Sequence, residues 1–155
     1  MGTTADIYDE RGEELASCET QFRSLGGRQE FEGVIETVHV RNDSVLVKEA
    51  LATPGEGRVL VVDGEGSLES ALMGDVLARS ASENGWSGVI VNGAVRDSER
   101  LGGVELGVKA LGTNPRRSHQ HGTGTRGQAV IFGGVVFEHG GYAYADADGI
   151  LVRRP

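Results

Sequence analysis

The centre of the chain contains two short, unbroken aliphatic runs. They predict β-strands over Arg58–Val62 and Ser87–Val91, because a strand that is covered on both faces is apolar throughout. Between them, Leu68–Glu83 carries apolar residues at helical spacing, and Met73-Gly74 is a point at which this helix could break. Asn84-Gly85 then supplies a C-terminal stop. A strand, a helix and a second strand in this order predict a βαβ unit with parallel strands.

Patterns on either side of this unit predict the remaining elements. Two further helices are expected over residues 5–16 and Ser44–Leu51. The additional strands expected are Val34–Val40, Val104–Leu111, Ala129–Phe132, Val135–Glu138 and Tyr142–Val152, the last broken at Asp148-Gly149. A polar loop over Gly112–Gly127 lies among the later strands. We therefore expect one domain, residues 1–155, of the α/β class, with strands outside a mixed centre.

Composition and charge narrow the possible partners. Glycine makes up 25 of 155 residues, about 16% against a usual ~7%, which indicates many tight turns. The net charge of −8 argues against nucleic acid and anionic membranes as main partners, because binding to phosphates needs positive charge. No apolar run approaches the ~20 residues of a membrane span, and the N-terminus is polar and acidic. With its single cysteine, the chain is expected to be cytoplasmic.

The glycine turn after the first buried strand resembles a nucleotide-binding turn only in part. Asp63–Ser67 contains two glycines, but Glu69 stands where a dinucleotide fingerprint needs a third. Asn92-Gly93 stands where that fingerprint places an acidic residue, and we expect a turn there. We therefore predict a tight turn rather than a nucleotide or methyl-donor site. Its N–H groups could still face an anion.

The histidines and lysines offer little chemistry by their spacing. His119 and His121 could form part of a metal site, but no third ligand follows at regular spacing, which favours a solvated loop. Lys48 is expected on a surface helix and Lys109 within a strand. Neither lysine is expected beside the acidic candidates described next, which argues against a Schiff base.

Three charged residues stand where an open α/β sheet binds ligands. Asp75 lies near the helix that leaves the glycine turn, and Arg96 and Asp97 follow the second buried strand. Ligands bind beyond the carboxyl ends of such strands, so these side chains could converge on one crevice. There a carboxylate can hold a hard cation and an arginine can bind a substrate carboxylate.

Plainer interpretations of the same residues stay open. Asp75 and Arg79 have i,i+4 spacing and could form a surface ion pair. Asp97 could cap a helix or pair with Arg100.

Five segments, in order, carry a resemblance to a known family. They are FRSLGGRQEFEG, GRVLVVDGEGSLESALMGDVLA, GWSGVIVNGAVRDS, GVKALGTNPRRS and GVVFEHGGYAYADADGILV, and together they extend over roughly residues 5–153. The chain thus resembles the RraA-like family, named for the regulator of ribonuclease activity A, whose superfamily includes metal-dependent 4-hydroxy-4-methyl-2-oxoglutarate aldolases. The aldolases are marked by an acidic residue, twenty residues and then Arg-Asp, and Asp75 followed by Arg96-Asp97 matches this motif.

The resemblance implies a fold, an assembly and a set of site residues. The implied fold is the swivelling β/β/α domain, similar to phosphohistidine domains, and the implied assembly is a homotrimer. Asp97 is implied to anchor Mg²⁺ or Mn²⁺ largely through water, and Arg96 to bind the carboxylate and oxo group of a small oxo-acid. Asp75 is implied to orient water for proton transfer, which makes Arg96 and Asp75 the catalytic candidates. The implied substrate pocket is formed by Gly74, Asp75, Val76, Leu77 and Arg96.

The implied activity is that of a divalent-metal-dependent pyruvate aldolase. It would cleave 4-hydroxy-4-methyl-2-oxoglutarate to pyruvate and decarboxylate oxaloacetate through the same metal-stabilised enolate. The alternative is a non-catalytic regulator that binds and inhibits a ribonuclease, and a third possibility is another small oxo-acid as substrate. Asp97 favours the enzyme, because ribonuclease-binding members tend to lose the acidic residue after the arginine. Some members are labelled menaquinone methyltransferases, an activity not expected here without a methyl-donor motif.

Overall fold

The computed structural model describes all 155 residues. The helices are α1 (Thr4–Arg11), α2 (Val45–Leu51), α3 (Asp75–Glu83) and α4 (Ser98–Leu101), with a 3₁₀ turn at Gly12–Glu14. The strands are β1 (Ala16–Ser17), β2 (Arg23–Ser24), β3 (Phe31–His39), β4 (Val59–Asp63), β5 (Gly88–Val95), β6 (Gly107–Thr113), β7 (Thr125–Arg126), β8 (Val130–Phe132), β9 (Val135–Phe137), β10 (Tyr142–Asp146) and β11 (Gly149–Arg153). None of the four helices has the length and apolar character needed to cross a bilayer.

One mixed sheet of nine strands forms the middle of the molecule. Its order is β1-β11-β10-β3-β4-β5-β6-β2, and β7 pairs with β3 outside this path. The four central strands β3, β4, β5 and β6 are parallel, and the pairs outside them are antiparallel. The predicted βαβ unit is present, because β4 and β5 are parallel neighbours joined through α3.

The two faces of the sheet bury separate apolar clusters. Every residue of β4 and β5 is buried, as expected for strands covered on both sides. On one face, α2 and α3 pack through Val47, Leu51 and Ala78. On the other face, the β8–β9 hairpin packs through Phe132 and Phe137. The result is a layer of helices, a mixed sheet and a β layer, which is the α/β architecture expected from the sequence.

Three predicted elements differ from the structure. The helix expected over Leu68–Glu83 begins only at Asp75. Residues 68–74 are irregular, because Ala71 N donates to the carbonyl oxygen of Arg116 and Leu72 N to that of Ala94 instead of to a helical partner. Asn92-Gly93 is not a turn but an irregularity inside β5, where the register shifts between residues 91 and 94. The first helix ends at Arg11 and continues as a 3₁₀ turn.

Candidate functional site

A cavity of about 300 Å³ opens beside the carboxyl end of β5 and the start of α3. All six residues named from the resemblance line it, namely Gly74, Asp75, Val76, Leu77, Arg96 and Asp97. The rest of the wall is formed by Ser44, Val45, Lys48, Ala71, Leu72, Met73, Arg117 and Gln120. The structure therefore brings together residues that are far apart in the chain.

Asp97 is held in an unusual backbone conformation at the end of β5. Its φ of 61° and ψ of 41° lie in the left-handed region. It occupies the N-cap position of α4, but its side chain makes no capping hydrogen bond. Instead Asp97 Oδ2 accepts a hydrogen bond of 3.1 Å from the backbone N–H of Asp75, and no ion pair with Arg100 forms. Asp97 thus stands at the predicted cap position of a helix, but its side chain neither caps that helix nor pairs with Arg100.

The surroundings of Asp97 keep its carboxyl group ionised. The hydrogen bond from Asp75 N–H lowers the pKa of Asp97, and partial burial opposes this effect. The side chain of Asp75 and the positive charges of Arg96 and Arg100 lower the pKa further. Oδ1 accepts no hydrogen bond from the protein. One oxygen of the carboxylate is thus fixed and the other is free for a ligand.

Position 74 needs a glycine because there is no room for a side chain, and not because of its backbone angles. Its φ of −133° is one that any residue adopts. A Cβ atom at this position would lie 2.5 Å from Asp97 Oδ2 and 3.1 Å from Arg96 Cγ. The absence of a side chain therefore lets the carboxylate lie against the first turn of α3.

Asp75 forms the predicted i,i+4 pair, but the aspartate is buried. Asp75 Oδ2 lies 2.8 Å from Arg79 Nη2, and Asp75 is only 5% exposed. The residue thus contributes its backbone N–H to Asp97 and its side chain to the cavity wall. The predicted ion pair with Arg79 is therefore present, but it is not a surface pair, because Asp75 is buried.

Arg96 reaches two cavities. Its backbone N–H donates to Met73 O at 2.9 Å, and Nη1 of its side chain donates to Pro115 O at 3.4 Å. Arg96 and Asp97 also line a second cavity of about 300 Å³, whose remaining wall is Ser98, Thr113, Asn114 and Pro115. The guanidinium is thus tethered by the loop after β6 while part of it stays accessible.

The donor set at this site suits a hard cation that keeps most of its water. No group of three or more His, Cys, Asp or Glu side chains lies together anywhere in the chain. A cation here could be held by the free oxygen of Asp97, directly or through water. Mg²⁺ is commonly bound in this way, through one or two carboxylates.

Sequence reasoning missed eight residues of the cavity wall, among them the long polar side chains of Lys48, Arg117 and Gln120. The expectation that Lys48 lies apart from the acidic candidates is wrong, because α2 packs beside α3 and puts Lys48 on the same cavity. Lys109 is elsewhere, 2% exposed, with Nζ donating to Ser24 Oγ and to the carbonyl oxygen of Asp146. Burial lowers the pKa of Lys109 and the nearby Asp146 opposes this.

A buried aspartate that the sequence did not single out holds the histidine loop. Asp43 is 1% exposed and accepts hydrogen bonds from the backbone N–H groups of His121, Gly122 and Thr123. His119 and His121 stack on each other with ring centroids 5.1 Å apart and belong to no metal cluster. This loop includes Gln120, so Asp43 fixes part of the cavity wall. The one sequence feature that could have singled out Asp43 is its position directly before the helix predicted over Ser44–Leu51.

The glycine turn after β4 is closed on itself. Both Gly64 N and Gly66 N donate to the carbonyl oxygen of Asn92, at 3.0 and 3.1 Å. Ser67 N donates to Gly64 O, and no helix begins at the turn. The N–H groups that a nucleotide phosphate would need are therefore already used, which agrees with the expected tight turn.

The fold and this cavity define a class of protein that comparison with known families identifies. The family model for RraA-like proteins, described as Aldolase/RraA, matches residues 4–152. The chain belongs to the RraA-like family.

Solved structures of relatives carry different functional names. The S-adenosylmethionine: 2-dimethylmenaquinone methyltransferase from Geobacillus kaustophilus HTA426 is 50% identical, with a TM-score of 0.97 over 98% of this chain and 94% of that chain. The RNA-processing inhibitor RraA from Thermus thermophilis is 41% identical, with a TM-score of 0.95 over 99% of this chain and 93% of that chain. Streptomyces coelicolor RraAS2, of the RNase ES inhibitor RraA family, is 26% identical, with a TM-score of 0.75 over 97% of this chain and 77% of that chain. Relatives that share this fold thus have different functional names, so the function of this chain has to be argued from its site.

Proposed function

We propose that the protein is a divalent-metal-dependent pyruvate aldolase. It cleaves 4-hydroxy-4-methyl-2-oxoglutarate to pyruvate and also decarboxylates oxaloacetate. The observation that carries this proposal is the convergence of Arg96, the ionised Asp97 and the first turn of α3 on one cavity. A ribonuclease inhibitor would not need a free carboxylate oxygen beside an arginine inside a cavity.

Asp97 is the residue that would hold the cation, Mg²⁺ or Mn²⁺, largely through water. When bound, the cation supplies a Lewis acid that stabilises negative charge developing on the keto oxygen of the substrate. Gly74 and the N–H of Asp75 keep the carboxylate in place for this role.

The start of α3 and Arg96 would bind the pyruvoyl end of the substrate. The N–H groups of Val76 and Leu77 lie in the first turn, where a helix leaves its N–H groups without intrahelical partners. Ala78 N is the first with a partner inside the helix, donating to Gly74 O, and Asp75 N donates to Asp97. Free N–H groups at a helix start attract a carboxylate. Arg96 adds a fixed positive charge beside the developing enolate oxygen.

Asp75 is the candidate for moving the proton in the aldol reaction. Because Oδ2 is paired with Arg79, Oδ1 would orient the water that takes the proton of the substrate 4-hydroxyl group. The bond between C3 and C4 then breaks, its electron pair remains on the pyruvate enolate, and the hydroxyl carbon becomes the carbonyl of the second product. The enolate takes up a proton at C3 from water, which gives pyruvate and balances the proton removed from the hydroxyl group. Decarboxylation leaves the same enolate without this deprotonation, so it needs Asp75 less.

The test is pyruvate release from 4-hydroxy-4-methyl-2-oxoglutarate and, separately, from oxaloacetate. Each substrate is incubated with Mg²⁺ or Mn²⁺, and then with a chelator. We expect metal-dependent release that Asp97→Ala abolishes and Arg96→Ala reduces by at least about tenfold, the order of effect of losing one charge-stabilising donor. Asp9→Ala, an exposed carboxylate on α1, is the matched control and should keep the wild-type rate. Near-normal rates in both site variants would refute the assignment.

The second candidate is a non-catalytic regulator, which the 41% identical RNA-processing inhibitor favours. Its net charge of −8 would suit docking onto basic segments of a ribonuclease. Binding to a basic scaffold peptide, together with inhibition of a ribonuclease and no pyruvate release, would establish this function instead.

We propose a homotrimer for either function. Val76 is 72% exposed at the cavity although it is apolar, which suits a surface that another subunit covers. Light scattering after gel filtration should give three times the mass of the 155-residue chain. A monomer mass would overturn the trimer and leave the activity to be judged by the pyruvate assay.

A further inference from the structure

Positive charge is concentrated around the cavity of a protein whose net charge is −8. Lys48, Arg96 and Arg117 all line it. No carboxylate lies within ion-pair distance of Lys48 or Arg117. The carboxylates of the wall are Asp97 and Asp75, and Asp75 is already paired with Arg79. The cavity therefore carries more positive charge than a monoanionic ligand would balance.

The three positively charged side chains come from separate parts of the fold. Arg96 follows β5 and adjoins Asp97, whereas Lys48 is on α2 and Arg117 is in the loop after β6. A volume of about 300 Å³ is at the lower end of the range for complete ligand pockets and exceeds what a three-carbon acid fills. A substrate bound at Arg96 and the start of α3 would thus leave room for a longer chain that extends towards Lys48 and Arg117.

Arg117 is held in place without losing its charge. With its amide oxygen facing Arg117, Gln120 accepts a hydrogen bond of 2.7 Å from Nε. Asp43 anchors the same loop through His121 N at 2.8 Å, and Ala71 forms a bridge with Arg117 in the backbone. A neutral partner and a fixed loop orient the guanidinium for an incoming anion, which reduces the entropy lost on binding.

We propose that Lys48 and Arg117 form a subsite for the distal carboxylate of a dicarboxylic 2-oxo acid. This inference rests on the proposed function and assigns the specificity of the same cavity. The pyruvoyl end lies at Arg96 and the start of α3, and the second carboxylate lies between the side chains of Lys48 and Arg117. Monocarboxylic 2-oxo acids bind only the first part of the site.

The test compares two unreactive ligands by calorimetry in the presence of Mg²⁺. 2-Oxoglutarate has a distal carboxylate, and 2-oxobutanoate lacks it, because its chain ends in a methyl group at C4. The wild-type protein should bind 2-oxoglutarate at least about tenfold more tightly, since one charge-assisted hydrogen bond is worth roughly this factor. Lys48→Met and Arg117→Gln should each weaken 2-oxoglutarate binding about tenfold and change 2-oxobutanoate binding by less than about twofold. Arg116→Gln, the exposed neighbour outside the cavity, is the matched control.

The outcomes separate this inference from the proposed function. Equal binding of the two ligands by the wild type, or equal losses for both ligands in the variants, would overturn the subsite even if pyruvate is released. Conversely, a preference for 2-oxoglutarate that the variants abolish supports the subsite even if no turnover occurs. If turnover occurs, the two variants should raise KM for oxaloacetate with kcat within about twofold, as expected for residues that bind without acting on the reacting atoms. A lower kcat with unchanged KM would contradict the assignment.

Discussion

The backbone of Gly74 and the carboxylate of Asp97 occupy adjoining space. The N–H of the next residue, Asp75, fixes one carboxylate oxygen, and the missing Cβ of Gly74 gives that oxygen its room. A one-carbon change at Gly74 should therefore act on the carboxylate rather than on the fold, because the clashing atom is the end of a side chain that can turn away.

Gly74→Ala should reduce metal-dependent pyruvate release by roughly 10- to 100-fold, the usual effect of disturbing the support of a metal ligand. The midpoint of urea unfolding should change little. Gly112→Ala is the matched control, since a Cβ there meets nothing closer than 3.6 Å. Unchanged turnover in Gly74→Ala would show that the position of Asp97 does not matter for the reaction.

At the scale of elements, the packing of Phe31 explains two glycines in the central sheet. Gly88 and Gly107 are partners in the register of β5 and β6. A Cβ at Gly88 would lie 2.2 Å from the Phe31 ring, and one at Gly107 would lie 2.0 Å from it. Phe31 is 6% exposed and belongs to the apolar cluster on the β8–β9 face. The two glycines thus leave a flat surface, and the ring of Phe31 from β3 packs on it.

Gly107→Ala should lower the free energy of unfolding by about 2 kcal/mol, the usual cost of overpacking a core. Urea denaturation measures the effect, with Gly2→Ala as the control because a Cβ at Gly2 meets no atom within 4 Å. In a Phe31→Leu background the same substitution should cost less. An equal cost in both backgrounds would mean that the ring is not the cause.

At the scale of the whole molecule, two buried carboxylates connect distant parts of the chain. Asp43 holds the loop at residues 121–123, and Asp146 accepts hydrogen bonds from Thr4 N and Thr4 Oγ1 at 2.8 and 2.7 Å. Burial would raise the pKa of each group, but backbone N–H donors outweigh it and lower both pKa values below the ordinary 3.8. Both carboxylates are therefore stabilised as ions in the folded state.

Since the folded pKa of each carboxyl group is below its unfolded value, their stabilising contribution is complete above about pH 4 and is lost as the pH falls through the folded values. The free energy of unfolding should thus decrease as the pH falls below about 4. Asp146→Asn should lower it by about 1–3 kcal/mol at pH 7 and weaken the acid dependence. Urea denaturation at pH 7, 4 and 3 measures both effects, with the exposed Asp9→Asn as control. The same acid dependence in Asp146→Asn as in the wild type would contradict this explanation.

Short-range patterns determined much of the fold and named the candidate site. The aliphatic runs predicted β4 and β5, and Asn84-Gly85 predicted where α3 ends, because each signal depends on neighbouring residues alone. The motif of Asp75, Arg96 and Asp97 predicted residues that the structure brings to one cavity. Their convergence was expected from the rule that ligands bind at the carboxyl ends of parallel strands, and their roles in a reaction stay predictions.

Only the tertiary structure decided the remaining features. Leu68–Gly74 has the apolar spacing of a helix, yet its backbone bonds to residues 94 and 116, which no local pattern reveals. Lys48 and Arg117 are separated by a large part of the chain and share a wall because α2, α3 and the loop after β6 pack together. The sequence determined which residues could do chemistry, and long-range packing determined which of them face the same space, because contacts between distant segments form only when the sheet is assembled.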